Sequence, residues 1–408
     1  MTAWFSILRD HAVVRTSAAA IFLYGFAGAA TSPYQAVIGI RELGLSDLTY
    51  ALLSLVAAIA HVLIAVASGY LSDRYQSYRL PLILVSSFGM IGFGAIWLNP
   101  TPLTFAIATV GPLALFHATN SLLFGNVRAK TDSFDPAEAA IANALMRMMV
   151  SLSWVLVPGI VGLILARHDS MITAYLIAAV FAAGCLATIL FGMERDTRMP
   201  LPSGPRIAAL PDLIGVLSSG MILRIAGVAL ITQVLTVNAT VLPLIVTGRA
   251  NGAASDIGFL VGLVALLEVI FMFFWAYAVR YMHLTTALAV SAMLYLAYLS
   301  AIAMATAPWH VYAASVIAGI SAAGIISLPI SYLLDLIRNR PGLSASLIAV
   351  NMFLGAALGS AVFALGAAIS GYGLASVLGG IAGVAGAAML VYLDRRPQRD
   401  RPLERAAP

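Results

Sequence analysis

The sequence predicts an all-α polytopic membrane protein: twelve transmembrane helices in two six-helix bundles, with both termini in the cytoplasm. Three observations carry that prediction. First, 61% of the 408 residues are hydrophobic and only 10% are charged, with a mean hydropathy of +0.97. A soluble domain carries about 25% charged residues, so this chain has too little charge to cover a water-facing surface. Second, long apolar runs recur along the whole chain, each near the ~20 residues that a helix needs to cross a bilayer. Third, the basic residues alternate from loop to loop as the positive-inside rule requires. The same composition excludes other classes. Its hydrophobicity rules out disorder, and the single Cys185 rules out a disulfide scaffold. The 22 basic residues, against 17 acidic, are scattered in short loops and form no continuous patch for nucleic acid.

Apolar runs broken by charged or turn-rich clusters place the first six helices at about 15–39, 48–72, 80–98, 102–127, 138–166 and 170–192. Helix 1 begins after Arg15 and ends before Arg41-Glu42. Helix 2 runs to Ser72-Asp73-Arg74, helix 3 to Asn99-Pro100, helix 4 to Arg128, helix 5 to Arg167-His168-Asp169, and helix 6 to Glu194-Arg195-Asp196. The other six lie at about 214–246, 256–280, 285–305, 308–334, 342–370 and 372–393. They are punctuated by Arg249-Ala250-Asn251, Arg280, Pro308, Arg338–Pro341 and Gly371. Pro33, Pro158, Pro243 and Pro329 fall inside helices, which bilayer proteins tolerate where neighbouring helices or a cavity satisfy the freed backbone groups.

Seventeen basic residues fall on the side of the N-terminus, and only Arg41, Arg167 and Arg249 on the other. Arg147 and Arg224 lie inside helices. This split places both termini in the cytoplasm and supports an even number of spans. The first 15 residues lack a signal-peptide layout, since Trp4 and Phe5 precede Arg9 and Asp10 and no cleavage site follows, so helix 1 reads as an uncleaved anchor. The expected organisation is a six-helix bundle over 1–192, a cytoplasmic linker with four prolines over 193–213, a second bundle over 214–393 and a cytoplasmic tail over 394–408. Two six-helix halves with a midplane site between them are a common transporter plan.

In the loop after helix 2 stands Gly69-Tyr70-Leu71-Ser72-Asp73-Arg74, with Arg79 six residues beyond the acid. This resembles the loop between helices 2 and 3 of the major facilitator superfamily, where an acid at the helix end locks to the neighbouring half. The family usually has a Gly three residues after the acid and a basic pair next; here Gln76, Ser77 and Tyr78 stand there and Arg79 remains. The resemblance implies a gating role for Gly69, Asp73, Arg74 and Arg79, and for Asp335, which ends helix 10 near Arg338 and Arg340. The corresponding loop of the second half, 278–283, keeps little of the motif. More specific stretches resemble bacterial sugar efflux transporters: Gly25–Ala29 and Thr31-Ser32-Pro33 in helix 1, Leu145-Met146-Arg147 through Trp154 to Pro158 in helix 5, Leu266-Leu267-Glu268 in helix 8, and Asp335-Leu336. The resemblance implies a bacterial inner-membrane location and a sugar or glycoside substrate.

Charge at bilayer depth costs about 2.5–3.5 kcal/mol on insertion scales, so each such group is a functional candidate. Glu268 is the only acid near a helix centre. Desolvation favours its neutral form and a nearby Arg its carboxylate, so it could take up and release a proton as the cavity alternates. The competing reading is a fixed ion pair with Arg147. In helix 5, Arg147, Ser151, Trp154 and Pro158 share one face at i, i+4, i+7 and i+11. A guanidinium beside an indole suits a polyol, the first bonding hydroxyls and the second stacking on an apolar sugar face.

Tyr24, Gly28, Thr31 or Ser32, and Gln35 form a polar stripe along helix 1, suited to a hydrophilic cavity. Helix 4 offers His117, Asn120 and Ser121 on one face, and helix 2 offers His61. Each histidine reads either as a satisfied core residue or as a proton carrier. Asn238 in helix 7 and Asn351 in helix 11 are further candidate sugar ligands. Arg224 shares a face with Asn238 but lies about 21 Å along the helix from it, so it is expected to snorkel to the cytoplasm or to pair with Glu268.

These residues point to a monomeric secondary transporter exporting sugars or small glycosides in exchange for protons. A proton-coupled multidrug antiporter and a sugar/proton symporter are the alternatives. Drug antiporters of the superfamily usually carry an Arg in helix 4 and a Gly-Pro-rich helix 5; here helix 4 has no base before Arg128, and helix 5 keeps only Pro158-Gly159 and Gly162. A membrane-embedded enzyme would need a paired acid and base or a metal site. No nucleotide, metal or nucleophile motif occurs, so the expectation is no cofactor, no metal and no catalytic residue.

Overall fold

The computed structural model describes residues 7–75, 77–131, 134–194, 219–336 and 341–395. The 193–213 linker, beyond Glu194, and the tail after Arg395 lie outside the described residues. Twelve helices among those described are long and apolar enough to cross a bilayer. The first six are Ala12–Glu42, Asp47–Tyr75, Arg79–Leu98, Pro102–Thr131, Pro136–Leu165 and Thr173–Gly192. The second six are Ser219–Thr247, Ala254–Ala278, Leu284–Ala303, Pro308–Leu336, Pro341–Ser370 and Tyr372–Arg395. An even number of crossings puts the start of helix 1 and the end of helix 12 at the same end of the bundle, called the terminal end below.

Two helices depart from the uninterrupted rods expected of them. Helix 1 is α-helical over Ala12–Thr31, tightens to a 3-10 turn over Ser32–Tyr34, and widens to a π turn over Ile38–Glu42. Pro33 has no N–H to donate and its ring clashes with the preceding turn, which forces the change of pitch. Helix 4 extends four residues further than expected and is split into Pro102–Val110 and Pro112–Thr131. There Gly111 adopts φ −97°, ψ −94°, outside the helical region, and Pro112 removes the next donor. Pro158, Pro243 and Pro329 sit inside helices 5, 7 and 10 without ending them.

Apolar burial between helices gains nothing over lipid, so association rests on close van der Waals packing. Helix 12 shows how. A Cβ on Gly379 would lie 3.0 Å from Val237, one on Gly383 2.8 Å from Val234, and one on Gly380 2.6 Å from Leu296. These glycines let helix 12 lie directly against helices 7 and 9. On the outside of the bundle, Phe191, Phe273, Met293 and Ile369 are exposed as lipid-facing residues should be. Tyr277 and Tyr281 at the terminal end of helix 8, and Trp309 at the opposite end of helix 10, are exposed where aromatic belts sit.

Arg224 does not meet Glu268. Its guanidinium pairs with Asp394 of helix 12 at 2.9 Å and donates to the Leu393 carbonyl at 3.2 Å, while Tyr332 donates to the same Asp394 oxygen. At the terminal end, where water competes, a carboxylate one helix away is the nearer partner.

Candidate functional site

The two halves meet at the end remote from the termini. Arg41 of helix 1 donates to the Leu244 carbonyl at 2.6 Å and to Thr247 Oγ1 at 2.7 Å, both on helix 7. Tyr372 of helix 12 donates to Asp47 of helix 2 at 3.0 Å, and the rings of Tyr50 and Phe363 sit edge to face. Between helices 5 and 8 the seal is made by backbone. A Cβ on Gly258 would run into the Pro158 carbonyl and lie 2.6 Å from the Tyr34 hydroxyl, and one on Gly262 would lie 2.7 Å from the Val155 carbonyl. Tyr34, fully buried, donates to the Pro158 carbonyl at 2.9 Å. Replacing Arg41 by Ala should therefore loosen this seal by roughly 1 kcal/mol, discounted for its exposure. The measurement is the spacing of spin labels across the remote end, which should gain a longer component.

Helix faces then decide what points inward. On helix 5, Ser153 turns to helix 1, donating to the Phe22 carbonyl, while Val155, Pro158 and Gly162 turn to helix 8. Leu152, Leu156, Ile160 and Leu163 form the exposed apolar face. Trp154 and the exposed Arg147 fall between the helix 1 and helix 8 sectors, and Ser151 falls on the face that meets helix 8 nearer the remote end. On helix 8, Gly258 and Gly262 turn to helix 5, and Leu267 and Trp275 turn to helix 10. Leu266, Ile270, Phe273 and Tyr277 are exposed. Glu268 lies between the two contact sectors and away from the apolar face. The register of Gly258 on Pro158 and Gly262 on Val155 brings Glu268 within about one turn of the depth of Arg147. Among the described residues, no ion pair joins the two, and neither side chain has a hydrogen bond. The fixed Glu268–Arg147 pair is therefore not formed in this conformation.

The other candidates divide into free and engaged groups. Gln35 and Asn120 are partly buried and, among the described residues, without side-chain hydrogen bonds. Trp154 is partly buried and packs on the core. Asn351 is only 3% exposed; its amide donates to the Ile225 carbonyl at 3.2 Å and accepts from Thr232 at 3.1 Å. Asn238 accepts from the Tyr298 hydroxyl at 2.8 Å. Both asparagines thus serve helix packing in this conformation. Beside Asn351, a cleft of about 330 Å³ opens among helices 7, 10 and 11, lined by Thr232, Thr236, Pro329, Ile330 and Met352 and largely apolar. In the first half, the hydroxyl of Tyr24 is 3.0 Å from Nδ1 of His117.

The expected gate residues are only partly in view. Gly69 lies within helix 2 with open space at its Cα, and the side chains of Asp73 and Arg74 lie outside the described residues. Arg79 donates to the Met193 and Leu190 carbonyls at 3.1 and 2.9 Å, a basic cap on the end of helix 6 in its own half. Asp335 is exposed at the terminal end of helix 10. No group of three or more His, Cys, Asp or Glu among the described residues could hold a metal ion.

Sequence reasoning misses the seal. In the sequence Arg41 counts only as a base on the sparsely charged side, and nothing singles out Tyr34 or Gly258. Arg41 does carry a usable signal, since a base on the side the positive-inside rule depletes needs a reason to be there.

No family model matches the chain. A curated relative from Deinococcus radiodurans, named "Putative sugar efflux transporter", is 25% identical over 387 residues, covering 93% of this chain and 97% of that protein. Among solved structures, the nucleoside transporter NupG superposes with a TM-score of 0.79 at 11% identity, covering 94% of this chain and 100% of its own. A mutant of the peptide transporter POT, in complex with sulfate, gives 0.73 at 13%, covering 94% and 95%. A bacterial homologue of the human lysosomal transporter Spinster, in an inward-facing and unoccupied conformation, gives 0.68 at 14%, covering 94% and 95%. The fold is that of the major facilitator transporters, and the chain resembles a sugar efflux transporter in sequence. Relative and fold neighbours alike are transporters, which sets this chain among transporters rather than enzymes.

Proposed function

We propose that this chain is a monomeric secondary transporter of the bacterial cytoplasmic membrane that exports sugars or small glycosides in exchange for protons. The observation that carries the reading is the pair of unpartnered charges, the partly buried Glu268 and the exposed Arg147, within about one turn of the same depth on two helices whose remote ends are sealed together. An inward-facing charge is retained in a membrane only where it works or is paired, and neither of these is paired. Glu268 is assigned the coupling proton. Arg147, Gln35 and Asn120 would meet substrate hydroxyls, with Trp154 stacking on the apolar sugar face; Tyr24 and His117 line the first-half wall. With the termini in the cytoplasm, the sealed end is the outer one, and Asp73, Arg74, Arg79, Gly69 and Asp335 belong to the inner gate. Asn238 and Asn351 would join the site only if helices 7, 9 and 11 repack during the cycle.

A second reading, export of lipophilic cations, is favoured by the apolar cleft among helices 7, 10 and 11. Everted vesicles with an acidic interior separate the two. Sugars, glycosides and lipophilic cations are added in turn while a pH dye reports the lumen. Proton release on adding a sugar or glycoside supports the first reading, and release with lipophilic cations alone replaces it with the second. Arg147→Gln should raise the half-saturating sugar concentration about tenfold, from loss of a charge-assisted hydrogen bond. An unchanged concentration would take Arg147 out of the binding site.

A further inference from the structure

We propose that His61, His117 and Tyr24 form a second proton-binding site, inside the first half, whose protonation repositions helix 2 against the second half. This rests on the reading of the chain as a proton-coupled transporter. The three residues come from helices 2, 4 and 1. The His61 and His117 rings are 4.4 Å apart at 55°, and the Tyr24 hydroxyl is 3.0 Å from His117 Nδ1. Nε2 of His61 is buried and has no hydrogen-bond partner. A buried network kept for stability satisfies its members, and this one leaves a ring nitrogen idle beside a second imidazole. A proton taken up there converts two neutral rings into a hydrogen-bonded imidazole–imidazolium pair. Deprotonation returns it to water, with no covalent bond made or broken.

The surroundings make that charge a temporary one. Of the titratable groups facing the pair, helix 1 supplies Tyr24, and helix 6 supplies the buried Cys185 next to Tyr24. Helix 3 is without ionisable side chains beyond Arg79 at its end, and helix 11 carries none over 347–370. Helix 5 contributes Arg147, which makes no hydrogen bond to the cluster. Among the described residues no carboxylate pairs with either ring. A resident imidazolium would need such a partner; a transient one needs only water from the opened cavity.

Helix 2 gives the site its leverage. Its remote end carries Asp47, held by Tyr372, and Tyr50, packed on Phe363. A charge that spreads His61 from His117 tilts a helix that touches helices 11 and 12 at the seal.

The test uses the full chain in lipid nanodiscs without substrate, in a Cys185→Ala background, with spin labels at the terminal ends of the two halves. Between about pH 8 and about pH 5.5 the ratio of the two distance populations should change by about fivefold or more. His61→Gln and His117→Gln should each cut that change to about twofold or less, and Glu268→Gln should leave part of it. A pH response intact in both histidine variants overturns the site, as does a wild type that does not respond. Proton release on substrate addition, read separately in vesicles, reports whether the coupling reading itself stands. His61→Asn and His117→Asn, with melting temperatures, replace any glutamine variant that does not fold.

Discussion

Glu268→Gln should abolish proton release on substrate addition, by about tenfold or more, while facilitated exchange of substrate across the membrane persists. The expectation follows from placement. Glu268 faces the space between the halves, has no hydrogen-bond or ion-pair partner among the described residues, and so is held in place by nothing that Gln would break. Gln keeps the shape of the protonated acid and removes the proton. The variant should therefore behave at every pH as the wild type does when Glu268 is protonated, and its melting temperature in detergent should not move. Counterflow of labelled substrate, measured beside the dye response, separates the two effects. A dye response as large as that of the wild type would remove Glu268 from coupling. Loss of counterflow as well would recast it as a substrate ligand.

Gly258→Val is the second large effect, and it acts on conformation. Any Cβ at this position meets the Pro158 carbonyl and the Tyr34 hydroxyl, and a helix backbone cannot swing aside as a side chain does. Forced overpacking of a tight contact costs about 1–3 kcal/mol, which shifts a two-state balance by about 5- to 150-fold. The sealed state loses that much relative to any state in which helices 5 and 8 part at their remote ends. Transport should fall steeply, since one of the two alternating states becomes rare. Spin labels across the remote end should report a long distance where the wild type reports a short one. The fold itself should survive, because the contact lies between the halves and not within either. Gly258→Ala should fall between the two, and labels that stay close together in Gly258→Val would show that the seal does not depend on this crossing.

Both predictions use residues whose legibility in the sequence is unequal. Glu268 can be found by hydropathy alone, as an acid about twelve residues from either end of an apolar run. Gly258 cannot, because a glycine in a membrane helix is ordinary until its neighbour is known. The same holds for His61 and His117, each unremarkable singly and fifty-six positions apart in the chain. It holds in reverse for Asn351 and Asn238, polar residues in helices that read as ligands and turn out to be hydrogen-bonded to their neighbours.

The sequence by itself determined the number of spans, their approximate ends and the all-helical class. Each of these rests on a local physical demand: about 20 consecutive apolar residues with their backbone groups satisfied inside the segment. Tertiary structure alone decided which face of each helix meets lipid, which polar groups are already paired, and which end of the bundle is closed. Those outcomes depend on helix rotation and register. In a bilayer these are set by small-residue packing and a few interhelical hydrogen bonds between residues far apart in the chain, and no single stretch of sequence contains both partners.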